Sequence, residues 1–126
     1  MKPDNRQWGD YAEDILDAVE SIEEFIRDMT YDKFIYDKKT KYAIIRSIEI
    51  IGEATKSIPD FVREAYPDIP WKDMAGMRDK MIHHYFGIDF EVVWKTIKED
   101  IPMIKPKLQD ILNTIGKDDE ISDDQK

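Results

Sequence analysis

Residues 89–115 read D-F-E-V-V-W-K-T-I-K-E-D-I-P-M-I-K-P-K-L-Q-D-I-L-N-T-I, and their spacing decides the fold class. Large apolar side chains recur every three or four residues, which is the period of one helix face. They are Phe90, Val93, Trp94, Ile97, Ile101, Ile104, Leu108, Ile111, Leu112 and Ile115. Asp89 is placed to cap the helix, and Pro102 and Pro106 should kink it. This stretch predicts a long helix that packs one face against a core.

Two segments upstream show the same periodicity. The apolar side chains of the first are Tyr11, Ile15, Val19, Ile22, Ile26 and Met29. Those of the second, which is expected to start near Thr40, are Ile44, Ile45, Ile48, Ile51 and Ala54. Residues 30–39 break the phase between them, and Pro59 should end the second helix because proline disfavours a helical residue before it. Gly52 lies inside this helix, where it permits another helix to pack closely.

Shorter helices are expected between these long ones. Asp60 can cap a short helix that Pro67 and Pro70 terminate, and a further helix is predicted over residues 71–86, stopped by Gly87. The pattern shows neither repeats nor strand alternation. We therefore expect an all-α bundle of about five helices, with a single domain over residues 1–116 and a disordered acidic tail over residues 117–126.

Composition limits the function classes. A chain of 126 residues is long enough for one domain, and its net charge of −9 would repel nucleic acid, so any RNA site must be a local basic pocket. Without cysteine, neither a disulfide framework nor a thiolate metal site can form. The chain lacks an apolar run of about 20 residues, and residues 1–10 are polar. These features predict a soluble, cytoplasmic protein that does not enter membranes.

Proton-transfer and phosphate-binding residues are concentrated in residues 77–89, M-R-D-K-M-I-H-H-Y-F-G-I-D, which include both histidines of the chain. Arg78, His83 and Tyr85 form the pattern R-x-x-x-x-H-x-Y, and Asp79 follows the arginine directly. Arginine supplies a permanent planar cation for phosphate oxygens, and histidine can accept and donate a proton near neutral pH. These groups suffice for RNA cleavage without a metal or other cofactor.

This pattern resembles the signature of the HepT-like toxins of the HEPN superfamily. The resemblance extends through three flanking segments: 46–59, R-S-I-E-I-I-G-E-A-T-K-S-I-P; 69–76, I-P-W-K-D-M-A-G; and 90–102, F-E-V-V-W-K-T-I-K-E-D-I-P. It implies a HEPN-type helical bundle that forms a homodimer, with both copies of the motif lining one cleft. It also implies a metal-independent endoribonuclease toxin with RNA as its substrate.

The residues and the resemblance together suggest a role for each site residue. Arg78 and His83 are the catalytic candidates: His83 would deprotonate the ribose 2′-hydroxyl or protonate the leaving 5′-oxygen, and Arg78 would stabilise charge on the pentavalent phosphate. Asp79 would orient the histidine, and Tyr85 would help to hold the RNA backbone. The resemblance further implies a minimal nucleotidyltransferase antitoxin that transfers AMP from ATP onto Tyr85.

The spacing of the motif raises a geometric problem. An ideal helix turns about 100° per residue, so Arg78 and His83 would lie roughly 140° apart on a helix that continued to residue 86. Two solutions are open at this point. Either the helix loosens before Gly87, or a second copy of the chain supplies the missing partner across a two-fold axis.

Alternatives accompany each assignment. His84, rather than His83, is a second candidate for proton transfer, and the alternative role of Arg78 is a simple ion pair with Asp79, Glu53 or another acid. Trp71 and Trp94 are expected to be core or interface anchors rather than platforms for bases. At the level of the whole protein, the alternative is a noncatalytic helical binding partner of a nucleotidyltransferase. A third reading is a purely structural helical dimer.

Overall fold

Helices form nearly all of the part of the chain that the structure describes. The structure is a computed structural model and describes residues 7–83 and 87–124. Its helices are α1 (Trp8–Phe25), α2 (Tyr31–Ile35), α3 (Lys38–Lys56), α4 (Asp60–Ala65), α5 (Trp71–Ala75), α6 (Met77–Met81), α7 (Phe90–Lys95) and α8 (Ile101–Asp124). A π-helical turn, Thr96–Asp100, joins α7 to α8, and two short strands, β1 (Ile82–His83) and β2 (Gly87–Ile88), separate α6 from α7. The expected all-α bundle is confirmed.

The core lies where α1 packs against α3 and α8. Its buried side chains include the apolar stripes predicted from the sequence: Ile15, Val19 and Ile22 from α1, Ile44, Ile48 and Ile51 from α3, and Ile101, Ile104, Leu108 and Ile111 from α8. Burial of these side chains from water supplies the main favourable free energy of folding. Within the described residues, no helix is long and apolar enough to cross a membrane.

Of two aspartates predicted to cap helix starts, one occupies the cap position and the other does not. Asp89 caps α7, because its Oδ1 accepts a hydrogen bond from the Val92 amide at 3.2 Å. At α4, Pro59 rather than Asp60 occupies the cap position, so the predicted Asp60 cap is wrong and this carboxylate lies in the first turn. There it still faces the positive end of the helix dipole.

The phase break over residues 30–39 contains the short helix α2, which the sequence pattern did not reveal. Thr30 caps it by accepting a hydrogen bond from the Lys33 amide, and Phe34 is fully buried. Asp37 caps α3 through the Thr40 amide at 3.0 Å, and this bond lowers the pKa of the Asp37 carboxyl. The long helix α3 therefore begins two residues before the predicted start at Thr40.

The C-terminal helix extends beyond the predicted domain boundary at residue 116, since α8 ends at Asp124. Pro106 lies inside α8, and the π-helical turn immediately precedes Ile101 and Pro102. The disordered tail and the kinks at the two prolines stay predictions.

The predicted helix over residues 71–86 is wrong. It is divided into α5 and α6 by Gly76, whose φ of −94° and ψ of 4° depart from helical values, and it ends at Met81 because Ile82 is extended. An antiparallel hairpin follows, in which Ile82 pairs with Ile88 and His83 with Gly87. Gly87 has a φ of +78°, a left-handed conformation that glycine adopts without steric cost. The glycine therefore belongs to a chain reversal rather than to a helix end.

Gly52 allows α3 to dock against α5, as the sequence predicted. A Cβ atom built on Gly52 would lie 3.5 Å from the carbonyl oxygen of Ala75 and 3.8 Å from that of Met74. These are ordinary contact distances, so one methyl group can be accommodated there but a longer side chain would meet the backbone of α5. The close approach places α6, which follows immediately, beside α3.

Substituting Gly52 should separate the effects of helix propensity and helix docking. Gly52→Ala should keep or raise stability, by up to about 1 kcal/mol, because alanine is the better helix former. Gly52→Leu should lower stability by about 1–3 kcal/mol, because its branched end must displace α5. Urea unfolding followed by circular dichroism measures both variants, and equal stability of the leucine and wild-type chains would contradict this packing.

Candidate active site

The signature residues are divided between a helix and a hairpin. Arg78 and Asp79 lie on α6, and His83 lies on β1. His84 and Tyr85 lie outside the described residues. The helix ends at Met81, before His83, as in the first of the two geometric solutions, and does not continue to residue 86. The 140° separation on one ideal helix therefore does not apply, and it gives no geometric reason for a dimer.

Arg78 lies between two carboxylates. Its Nε is 3.5 Å from Oε2 of Glu49 on α3, and its Nη1 is 3.6 Å from Oδ1 of Asp79. Strong charge-assisted hydrogen bonds are shorter, about 2.7–2.9 Å, so both are loose ion pairs. The Arg78 side chain is 48% exposed, and pairs as exposed as these contribute only about 0–1 kcal/mol to stability. Arg78 is thus held near α3 while its guanidinium stays accessible to solvent.

The partner of Arg78 on α3 was not identified from sequence. Of the two acids named as alternative partners, Asp79 lies 3.6 Å from Arg78, whereas Glu53 instead pairs with Lys56 at 3.8 Å. The docking contact explains why Glu49 takes this role. Glu49 lies one turn before Gly52 on α3, and Arg78 follows Ala75 by three residues across the break at Gly76, so the ion pair lies next to the docking contact.

The hairpin fixes the backbone of His83 next to α6. His83 pairs with Gly87, and the Asp89 amide donates a hydrogen bond of 2.8 Å to the carbonyl oxygen of Met81, the last residue of α6. Because the Asp89 side chain also caps α7, one residue ties the end of α6 to the start of α7. Asp89 therefore connects the hairpin to the end of α6 and to the start of α7. The catalytic roles of Arg78 and His83 and the supporting roles of Asp79 and Tyr85 stay predictions.

A second face of α6 lines a groove of about 700 Å³ between α5, α6 and the C-terminal helix. Met77, Lys80 and Met81, which share one face of α6, line this groove together with Lys107. Arg78 does not line it, because its side chain is directed toward α3. The groove and the signature arginine therefore occupy different faces of the same helix.

The tryptophans have the structural roles predicted for them. Trp71 is buried, and its Nε1 donates a hydrogen bond of 3.0 Å to the carbonyl oxygen of Tyr66. Trp94 packs against Phe34, with ring centroids 5.0 Å apart. Within the described residues, no group of three or more histidine, aspartate or glutamate side chains is arranged to hold a metal ion.

Comparison with known proteins identifies the family. A family model described as ribonuclease HepT-like matches residues 15–111, a span that includes every signature residue. The chain belongs to the HepT-like family. No solved structure matches it significantly.

Three relatives of this HepT-like chain illustrate the similarity. A probable ribonuclease HepT from Thermococcus cleftensis is 55% identical over 104 residues, covering 82% of this chain and 94% of that protein. A putative RNase from Methanocaldococcus jannaschii is 50% identical over 107 residues, covering 84% and 88%. A putative RNase from Caldanaerobacter subterraneus is 41% identical over 102 residues, covering 81% and 91%.

The left-handed conformation of Gly87 makes a prediction about the hairpin. Nothing lies within 4 Å of a Cβ built on Gly87, so the cost of Gly87→Ala is conformational rather than a steric clash. That cost is about 1–2 kcal/mol, and exchange of the Asp89 amide should accelerate roughly tenfold. Gly87→Asn should accelerate exchange less, since asparagine tolerates this conformation better. Unchanged amide exchange in the alanine variant, measured by NMR, would argue against this hairpin.

Proposed function

We propose that the chain is a metal-independent endoribonuclease toxin of the HepT-like family. The family match, which spans the complete R-x-x-x-x-H-x-Y pattern, carries this proposal. Two structural features support it. The Arg78 side chain is about half exposed and makes only loose ion pairs. His83 lies on β1, which directly follows α6. A cation and a proton-transfer group thus lie on adjoining elements.

The reaction that these groups support is attack by a ribose 2′-oxygen on the adjacent phosphorus. The bond from 2′-oxygen to phosphorus forms and the bond from phosphorus to 5′-oxygen breaks, giving a 2′,3′-cyclic phosphate and a 5′-hydroxyl. His83 moves a proton at one of the two oxygens, and Arg78 stabilises the negative charge on the pentavalent phosphate. Asp79 orients the histidine, and Tyr85 holds the RNA backbone.

Substituting the two catalytic candidates tests this assignment. Arg78→Ala and His83→Ala should each lower RNA cleavage in EDTA by a factor of about 10² or more, the usual contribution of such groups. His84→Ala should retain activity if His83 is the proton-transfer residue. Cleavage of a labelled RNA in EDTA measures all three variants.

Lys56→Ala is the matched control for loss of an exposed cation, because Lys56 lies at the end of α3 and pairs with Glu53 rather than with a signature residue. Circular dichroism must show that each variant keeps its helical content. Full activity of well-folded Arg78→Ala and His83→Ala chains would remove both residues from the mechanism. It would favour the noncatalytic binding subunit.

The assembly that we propose is a homodimer with a cleft lined by both copies of the motif. Support comes from the family resemblance, since the hairpin removes the helical mismatch that first suggested a second chain. A closed two-fold dimer would also bring two copies of Arg78 near one RNA strand, which would raise the local positive charge. Light scattering at micromolar concentration should give the mass of two chains, and a monomer with undiminished activity would contradict the shared cleft.

The regulation that we propose is covalent. A minimal nucleotidyltransferase antitoxin would transfer AMP from ATP onto the Tyr85 hydroxyl: the tyrosine oxygen forms a bond to the α-phosphorus, and pyrophosphate leaves. The added phosphate would place negative charge two residues from His83, where it could compete with RNA for Arg78 and block access. We therefore propose a toxin-antitoxin pair in which the modification neutralises the enzyme.

Mass spectrometry tests the modification directly. Incubation with the cognate nucleotidyltransferase, ATP and magnesium should add one or more AMP units to the peptide containing Tyr85, and RNA cleavage should fall in step. Tyr85→Phe should accept no nucleotide and escape neutralisation. A modified peptide elsewhere in the chain, or a fully modified protein that still cuts RNA at the wild-type rate, would exclude Tyr85 as the switch.

A further inference from the structure

Glu49 of α3 forms an ion pair with a signature side chain, Arg78. Its Oε2 lies 3.5 Å from the Arg78 Nε, and its side chain is 34% exposed, whereas the Asp79 side chain on the other flank of Arg78 is 78% exposed. Glu49 is thus the more sheltered of the two carboxylates. Glu49 also lies on α3 rather than on α6, so its position is set by α3.

Backbone packing fixes the position of Glu49. It lies three residues before Gly52, on the same side of α3, and Gly52 rests against the carbonyl oxygens of Met74 and Ala75. The adjacent α3 residues Ile48 and Ile51 are fully buried, which restricts rotation of the helix about its axis. A carboxylate held at such a fixed position can determine the orientation of a long arginine side chain that contacts it.

Charge makes this arrangement informative. Glu49 and Asp79 together place two negative charges around the single positive charge of Arg78, which opposes the binding of a phosphate. A carboxylate that only weakened RNA binding would be a burden to an endoribonuclease. Contact with Nε has a different use, because it constrains one edge of the planar guanidinium, while Nη1 lies 3.6 Å from Asp79, and so it limits the directions in which the N–H donors can point.

We propose that Glu49 is a positioning residue for the ribonuclease reaction, holding the Arg78 guanidinium from the Nε side so that its other donors meet the phosphate. This inference rests on the proposed function. It assigns Glu49 a role in the chemical step at the expense of substrate affinity. Removing its charge should therefore affect kcat and KM in different ways.

The variant that tests this role is Glu49→Gln, which keeps the size of the side chain and removes its charge. Its kcat for RNA cleavage in EDTA should fall about tenfold or more, as expected when a catalytic group loses its orientation. Its KM should stay equal or fall, because a negative charge near the substrate phosphate is removed. If the Glu49 charge acted only by repelling RNA, its removal would lower KM and leave kcat unchanged.

Glu53→Gln is the matched control, since Glu53 lies one turn further along α3, carries the same charge and pairs with Lys56 instead of Arg78. It should keep the wild-type kcat. NMR of the Arg78 Nε–H group, assigned as the resonance missing from Arg78→Lys, supplies a second readout that does not depend on catalysis. This resonance should shift in Glu49→Gln and stay in place in Glu53→Gln.

The outcomes separate this inference from the function on which it rests. A wild-type chain that does not cut RNA overturns both. A wild-type chain that cuts RNA, together with a Glu49→Gln chain of unchanged kcat or an unmoved Arg78 resonance, overturns the positioning role alone. A loss of kcat accompanied by a lower unfolding temperature in Glu49→Gln but not in Glu53→Gln would indicate a structural role, and would likewise overturn the inference.

Discussion

The close approach of α3 to α5 at Gly52 is the contact on which the candidate site depends. A side chain longer than a methyl group at residue 52 would meet the backbone of α5, so glycine permits this approach. The next helix, α6, is separated from α5 only by Gly76, and so it is carried alongside α3 as well. The pairing of Arg78 with Glu49 then follows from how α6 lies against α3 rather than from the small free energy of the ion pair itself.

The end of α6 is the second constraint, because it places Arg78 and His83 on different elements. A spacing of five residues would divide Arg78 from His83 on a continuous helix. Ending the helix at Met81 and turning the chain through a hairpin removes that obstacle. The Asp89 amide bonds to the end of α6 and its side chain caps α7, so the two strands of the hairpin are anchored by the helices that flank them.

Sequence periodicity predicted most of the fold because the three long helices are amphipathic over many turns. Ile15, Ile48 and Leu108 are buried as their spacing indicated. Periodicity could not reveal α2, which is only five residues long, or the hairpin, whose strands have two residues each. Gly87 predicts a helix stop as readily as a turn, because a left-handed backbone is typical of both.

The motif identifies the candidate site residues from sequence, but it does not identify the residues that surround them. Arg78 and His83 stood out by residue type, whereas Glu49 is one of many acidic residues in a chain of net charge −9. Its relation to Arg78 depends on which helix docks at Gly52, and this is a tertiary fact that local spacing does not contain.

The identity of the RNA ends tests the central claim most directly. A synthetic RNA digested in EDTA should yield a 2′,3′-cyclic phosphate on one fragment and a 5′-hydroxyl on the other, as seen by mass spectrometry. An RNA with a 2′-deoxy residue at the cut site should stay intact there. Cleavage that requires a divalent metal, or fragments that carry a 5′-phosphate, would contradict a reaction performed by Arg78 and His83 on the ribose 2′-hydroxyl.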